Sequence, residues 1–241
     1  MISIPDAIEV FVRSFSLAKS KTYPYVPTKV GDLWIMRDDP PRKKERKIEI
    51  IAHGPNPADI VKEVEESQVG WHFLCHIHAP DEDFQGIRKQ FKELGYRSMS
   101  TEWLFAHALA NIPIHDSTPP VRPVPDVETL DQINRVTSRP KILRPNTRFF
   151  SVWDETKEVG WVTSIPFKDS AWVHDLYVQS EFRGKGYGRA LMSKLLMSDR
   201  ENGVKQSVLL ASSAGARLYP YIGYQQIGVL QMFCPITRPS V

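Results

Sequence analysis

The sequence predicts an α/β protein with a mixed sheet, arranged as two lobes. Three observations carry this. A strand, a glycine-rich turn and a helix follow one another over residues 171–196. A faint internal repeat brings Phe91-x-x-x-Gly95-Tyr96 back as Tyr219-x-x-x-Gly223-Tyr224, an offset of 128 residues (91 to 219). A proline-rich stretch at 113–125, with Pro113, Pro119, Pro120, Pro123 and Pro125, separates the two copies. Proline fixes φ and removes a backbone donor, so this stretch can be neither regular helix nor central strand. The expected division is a lobe at 1–112, a linker at 113–125 and a lobe at 126–241.

Ile4, Ile8, Phe11, Val12 and Phe15 recur at helical spacing with Glu9 and Arg13 between them, which predicts an amphipathic helix near 5–19 rather than a signal peptide. Strands are expected near 32–37 and 46–52, a helix near 57–67, a strand at 70–77 and a helix at 83–94. Trp103-Leu104-Phe105-Ala106 falls opposite Gln231-Met232-Phe233-Cys234 in the repeat. In the second half Asp126 is placed to cap a helix whose Val127, Leu130 and Ile133 share a face. Residues 148–153 and 171–178 are rich in aromatic and β-branched side chains and read as strands. Residues 189–196 form a helix with a Leu/Met face, and 207–211 form the next strand.

Composition narrows the function classes. Hydrophobic residues are 41% and charged residues 24%, as in ordinary globular proteins, and the net charge of +3 does not call for nucleic acid. No run of 18 apolar residues is present to cross a membrane. The basic cluster Arg42-Lys43-Lys44-Glu45-Arg46-Lys47 reads as a solvated hairpin loop, or else as a contact for an acidic partner. Cys75 and Cys234 stand in apolar, strand-like settings, as expected of buried thiols in a reducing, cytoplasmic compartment. His72, His76 and His78 share a strand face but lack Cys or Asp partners at ligand spacing, so no metal is expected; they could instead line an acceptor cavity.

Chemistry concentrates at Arg183-Gly184-Lys185-Gly186-Tyr187-Gly188. The first N–H groups of a helix have no internal partners and carry the positive end of its dipole. Glycines before them allow a tight turn and the close approach of a phosphate. Arg183, Lys185 and Arg189 add positive charge. A P-loop would need Ser or Thr after the Gly-Lys pair, and here Gly186 follows Lys185. The dinucleotide fingerprint would need a small residue at Arg189. Nucleotide hydrolysis and hydride transfer are therefore disfavoured.

Leu176-x-Val178 followed by Arg183-x-x-Gly186-x-Gly188 resembles the acyl-coenzyme-A loop of the GCN5-related N-acetyltransferase (GNAT) superfamily. Ala216-Arg217-Leu218-Tyr219 and Gly223-Tyr224 resemble its next motif, in the right order about 30 residues on. The resemblance covers roughly residues 121–241. It implies a GNAT-like acyl-CoA N-acyltransferase fold. The backbone of Leu176, Tyr177 and Val178 would pair with the pantetheine of acetyl-CoA, and the Val178 N–H would face the thioester oxygen. Arg183, Gly184, Lys185, Gly186, Tyr187, Gly188 and Arg189 would take the pyrophosphate. Ser213, where the family often has Asn, and Ala216 would also contact the cosubstrate.

The same resemblance makes Tyr219 the general acid. A phenol with a pKa of ~10 can hand a proton to a thiolate whose acid has a pKa of ~8.5. The alternative is a core tyrosine, with Tyr221 as the nearby competitor. Asp175 is the candidate base, by ordering water or attracting a cationic amine, and His174 is the alternative. Strand parity turns their side chains to opposite faces, so only one can face the acceptor. Trp71, Trp103, Trp161 and Trp172 could line the acceptor pocket.

The first half has His53-Gly54-Pro55-Asn56-Pro57 where the loop should stand, which suggests a degenerate lobe unable to hold pyrophosphate. No Cys or Ser nucleophile lies beside the motifs, so the implied reaction is direct transfer of acetyl from acetyl-CoA to a primary amine of a small molecule or peptide in a ternary complex. The alternatives are a non-catalytic acyl-CoA sensor and an acyltransferase with another acyl donor. A homodimer is a possible assembly.

Overall fold

The computed structural model describes residues 2–113, 119–135, 141–144 and 146–236, so residues 114–118 of the expected linker lie outside the described residues. The chain forms two compact units. Of the described residues, the first comprises 3–105, 210–214 and 226–236; the second comprises residue 2 and those within 106–209 and 215–225.

The first unit begins with α1 (Ile4–Lys19), β1 (Tyr25–Val30), β2 (Leu33–Asp38), β3 (Ile48–His53), α2 (Pro57–Glu66), β4 (His72–His78), α3 (Phe84–Glu93) and β5 (Tyr96–His107). The helix starts follow local chemistry. Ser3, Asn56 and Asp83 each accept a backbone N–H of the first turn, and Pro57 stands where its missing N–H costs nothing. β3 and β4 are parallel with α2 as the crossover; β1–β2 and β2–β3 are antiparallel. The core joins Ile50, Ile60, Val64, Leu74 and Phe91.

Side chains in this unit correct two expectations. The basic loop between β2 and β3 is not simply solvated. Arg42 and Arg46 turn inward and donate to the buried Asp38 at 2.6 and 2.5 Å, and the Arg46 N–H adds a third bond at 3.0 Å. The β4 histidines, expected as cavity lining, are instead buried and bonded to their neighbours. His72 bonds to the Gly70 carbonyl and the Tyr96 hydroxyl, His76 to the Gly54 carbonyl, and His78 to the Ala79 carbonyl and Gln231. All three are buried. Among the described residues no three His, Cys, Asp or Glu side chains converge as a metal would need.

The second unit contains β6 (Val121–Pro123), α4 (Val127–Asn134), β7 (Arg148–Asp154), β8 (Lys157–Phe167), β9 (Ser170–Val178), α5 (Tyr187–Glu201) and β10 (Gln206–Ala211), whose first residues lie in it. Its strand order is β10-β9-β8-β7-β6. The two faces of β8 go to different helices. Trp161 joins Val124, Leu130, Ile133 and Phe149 on the α4 side. Ser164 bonds to Asp199 of α5 on the other. Asp199 also accepts from Arg148 at 2.8 Å. Burial pushes its carboxyl up to about 6 despite these partners. The last strand, β11 (Gln225–Pro235), returns to the first unit and pairs antiparallel with β4. Cys75 and Cys234 are both buried free thiols there, as expected.

Burial lowers the His76 imidazole to about 4, because its charged form would lose solvation. In the unfolded chain it titrates near ~6.5. Between these values the unfolded state binds the extra proton, so stability is full above about 6.5 and falls as pH drops toward about 4. The first unit is expected to lose roughly 2 kcal/mol from this group between pH 7 and pH 5. His76→Gln, which keeps a donor for the Gly54 carbonyl, should flatten that fall in urea unfolding curves recorded at the two pH values.

Candidate active site

β9 has one closed edge and one open edge. It pairs with β8 as far as Gly160↔Val178, but its pairing with β10 ends at Val208↔Trp172. Residues 173–178 therefore run on with one edge free of β10. Backbone groups on such an edge need partners, and an extended amide-bearing ligand can supply them as an added strand would. Within this stretch Trp161 faces Tyr177 while Thr163 faces His174, so Asp175 and Leu176 together oppose Val162. This is a β-bulge, with Asp175 in the left-handed region at φ 62°. The parity argument for His174 and Asp175 assumed a regular strand, and the bulge removes that premise.

The helix after β9 differs from the others at its start. α1, α2, α3 and α4 are each capped by a side chain, in α4 by Asp126. α5 begins at Gly186, φ 88°, with no side-chain cap. Its first N–H groups are left for an outside acceptor. Gly184 and Gly186 both have positive φ, and an added Cβ would meet nothing within 4 Å at either, so the backbone conformation itself demands glycine. Gly188 is different: a Cβ there would lie 3.4 Å from Leu218 Cδ2 and 3.8 Å from Val178 Cγ2. The end of β9, the glycine loop and the segment before Tyr219 thus meet at one point.

The loop side chains divide. Arg183 and Lys185 are exposed, and Arg183 Nε donates to the Val178 carbonyl at 2.9 Å. Arg189 is half-buried, and its Nε has no hydrogen-bond partner among the described residues. Tyr187 turns inward and its hydroxyl donates to Asp154 Oδ1 at 2.6 Å, so it presents only backbone to a ligand. Tyr219 opens a short 3-10 turn (Tyr219–Ile222), is 6% exposed and sets its ring edge-on to Tyr224 at 5.5 Å. Burial raises its phenol to about 12. Tyr221, by contrast, is 70% exposed. Ala216 is half-buried in the preceding 3-10 turn, and Ser213 lies in the exposed turn after β10.

Asp175 is not a free carboxylate. Its Oδ2 accepts from Lys141 Nζ at 2.5 Å and from Trp161 Nε1 at 3.3 Å. The Lys141 ammonium lies 4.5 Å from the centre of the Trp161 ring, which stacks on Tyr177 with centroids 4.5 Å apart. Sequence reasoning assigned no role to Lys141. It also missed Glu158, which is only 5% exposed and has neither carboxyl oxygen hydrogen-bonded among the described residues. Burial raises the Glu158 carboxyl to about 7; the nearby Gly160 N–H and the Lys141 charge pull it the other way. The one available signal was its place at the head of the apolar run Val159-Gly160-Trp161-Val162.

An open strand edge, an uncapped helix start and converging backbone together offer hydrogen-bond donors and acceptors suited to an extended, anionic ligand. Residues 145–226 match the family model of the acetyltransferase (GNAT) domain. The fold is similar to a GCN5-related N-acetyltransferase from Kribbella flavida, with TM-score 0.66 and 14% identity over 100% of this chain and 98% of that one. It is also similar to one from Sphaerobacter thermophilus (TM-score 0.60, 16% identity, 87% of this chain and 78% of that one). A GCN5-related N-acetyltransferase-like protein from Streptococcus suis gives TM-score 0.52 at 12% identity, over 97% of this chain and all of that one. No curated protein matches in sequence. Residues 145–226 thus match a GNAT acetyltransferase domain, and the chain has the fold of these GCN5-related N-acetyltransferases.

Lys141 favours the charged form of Glu158, so removing it must raise that carboxyl further. Lys141→Met is expected to move the Glu158 midpoint above about 7, read from the pH dependence of carboxyl-labelled glutamate signals by NMR. An unmoved midpoint would mean that the ammonium does not reach it.

Proposed function

We propose that the protein is an acetyl-CoA-dependent N-acetyltransferase acting on a primary amine of a small molecule or peptide. The observation that carries this reading is the uncapped, glycine-led start of α5 beside the open edge of β9, inside the matched GNAT domain. The pantetheine amides would complete the edge at Leu176, Tyr177 and Val178. The pyrophosphate would sit on the N–H groups of the loop and α5, with Arg183, Lys185 and Arg189 supplying charge and Gly184, Gly186 and Gly188 supplying room. Ser213 and Ala216 would contact the cosubstrate further on.

The amine attacks the thioester carbon, whose oxygen is held toward the Val178 N–H, and the C–S bond breaks. Tyr219 protonates the departing thiolate. Its raised pKa keeps the proton in place at neutral pH, and a thiolate desolvated in the same site is a stronger base than in water. Asp175, held by Lys141 and Trp161, acts as a positioning group for the amine. That committed carboxylate is also the one feature favouring a non-catalytic acyl-CoA sensor.

The first unit is proposed as a degenerate lobe. Its β3-α2-β4 crossover parallels β9-α5-β10, but Asn56 Oδ1 occupies the Ala58 N–H at 3.0 Å, where a phosphate would bind. The chain would act in the cytoplasm, in keeping with two buried free thiols. Among the described residues no helix is long and apolar enough to cross a membrane.

A panel of primary amines assayed with acetyl-CoA by release of free thiol tests the activity; no release above the protein-free rate with any amine returns the sensor reading. Calorimetric titration should find one CoA site per chain. Gly186→Asp should weaken it at least roughly 10-fold, since a carboxylate repels the pyrophosphate at the helix start, and Gly54→Asp should leave it unchanged. Tyr219→Phe should lower kcat by roughly 10- to 1000-fold with little change in CoA affinity, as expected for a lost general acid. Unchanged kcat at every pH would make Tyr219 a core residue.

A further inference from the structure

Among the described residues two carboxyl groups are buried in the second unit, and they differ in one respect. Asp199 is saturated, with Arg148 Nη1 at 2.8 Å and Ser164 Oγ at 2.8 Å from Oδ2 and 3.0 Å from Oδ1. Glu158 has no hydrogen bond to either oxygen among the described residues. The Gly160 N–H favours its charged form but stops short of a hydrogen bond. A carboxyl kept for structure is normally bonded like Asp199; one left bare inside the protein calls for another reason.

Its position supplies that reason. β8 bulges against β7 here, since Val152 faces Gly160 while Trp153 faces Glu158, which leaves Val159 as the extra residue. Bulges re-aim side chains, and they occur beside active sites. The end of β9 is fastened to the same spot. The Gln179 N–H donates to the Val159 carbonyl at 2.9 Å, and Gln179 Nε2 donates to the Glu158 carbonyl at 2.8 Å. Gly160, two residues on, pairs with Val178, whose N–H is the proposed rest for the thioester oxygen.

We propose that Glu158 is the proton acceptor for the incoming amine, a role that rests on the transferase reading above. The ammonium gives one proton to the carboxylate, directly or through one water, and the neutral amine attacks the thioester. As the C–S bond breaks, the thiolate takes the Tyr219 proton, and the tyrosinate takes the surplus proton of the new amide nitrogen. Glu158 then returns its proton to water, so one proton leaves per amide formed. Burial places this carboxyl at about 7, where both forms are populated at neutral pH. Lys141 is the cation that bears on it, and the same ammonium is held by Asp175 of β9. Of the other charges at its hairpin turn, Asp154 is turned to Tyr187 and Lys157 to Glu181, and Glu155 is exposed at the turn.

The test compares the whole protein with Glu158→Gln, using acetyl-CoA and two probe acceptors. One is an alkylamine that the wild type turns over, cationic at neutral pH; the other is an arylamine, already neutral. Glu158→Gln should lower kcat/KM for the alkylamine roughly 100-fold or more and abolish the rising limb near pH 7. It should leave acetyl-CoA affinity within about twofold and, where the arylamine is a substrate, cost that reaction less than about fivefold. Carboxyl-labelled glutamate NMR on the CoA complex should show one signal titrating near neutrality that the variant lacks. An active wild type whose variant keeps its rate and pH profile overturns the role of Glu158 alone. A wild type that acetylates no amine overturns the transferase reading and this one with it.

Discussion

The arrangement depends on where the pairing of β9 with β10 ends. Up to Trp172 the strand is closed on both sides; from residue 173 onward β10 no longer pairs with it. Every later feature of the site follows from that release. A strand that kept its partner would have no unpaired edge for a ligand's amides and no gap beside its last residues. The bulge at Asp175 sits inside the released stretch, where one fewer ladder constrains it. The chain then turns through glycines with positive φ into a helix that has no side-chain cap. An open edge and an open helix end, joined where Gly188 packs against Val178 and Leu218, are complementary to a ligand with amides in its middle and phosphates at one end.

Charge is organised around that geometry in two separate ways. On the loop, the cations are exposed and the helix start carries the rest of the positive potential, which suits a mobile, highly solvated anion. Near the bulge the charges are fewer, Lys141 and Asp175 half-buried and Glu158 buried. Lys141 is shared between a tight partner, Asp175, and a more distant carboxyl, Glu158. At short range the ammonium donates to Asp175 and makes no hydrogen bond to Glu158. What Glu158 receives is only a field, too weak to offset its loss of solvation, and so the carboxyl stays near neutrality in its titration. A direct bond to Lys141 would have fixed Glu158 as an anion, as the bonds from Arg42 and Arg46 fix Asp38.

What could be read from the sequence was local. The glycine loop, the cap at Asp126 and the helical faces of α1 and α4 are each set by residues within a few positions of one another, and they fold as their spacing implies. The long-range features were silent. Lys141 meets Asp175 across 34 residues, from a segment with no periodic pattern. Glu158, two residues after a turn, has the look of a surface charge until the bulge turns it inward. The β4 histidines share a face as parity required, but parity does not distinguish a cavity from a core, and three of their partners, the Tyr96 hydroxyl, the Gly54 carbonyl and Gln231, come from distant parts of the chain. β1, β6 and β8 were missed, β6 because it lies in the expected proline-rich linker and β8 because Gly160 and Pro166 interrupt its pattern. The return of β11 to the first unit has no sequence signal at all, since only the identity of its neighbour distinguishes it.

The same logic separates acid from base. Tyr219 and Glu158 are both buried, and burial raises both pKa values, because each group is an acid whose charged form loses water. The consequences are opposite in kind. A phenol raised from its ordinary value stays protonated throughout the physiological range and is available only as a donor. A carboxyl raised to about 7 moves from always charged to half charged, and so becomes able to take up and release a proton. One physical effect, desolvation, therefore suits the two groups to the two proposed roles, at Glu158 against the opposing pull of Lys141 and the Gly160 N–H. It also ties them to the integrity of the fold: water admitted to the end of β9 would return Glu158 to an ordinary carboxylate before it disturbed the phenol, whose proton remains bound at neutral pH in either environment.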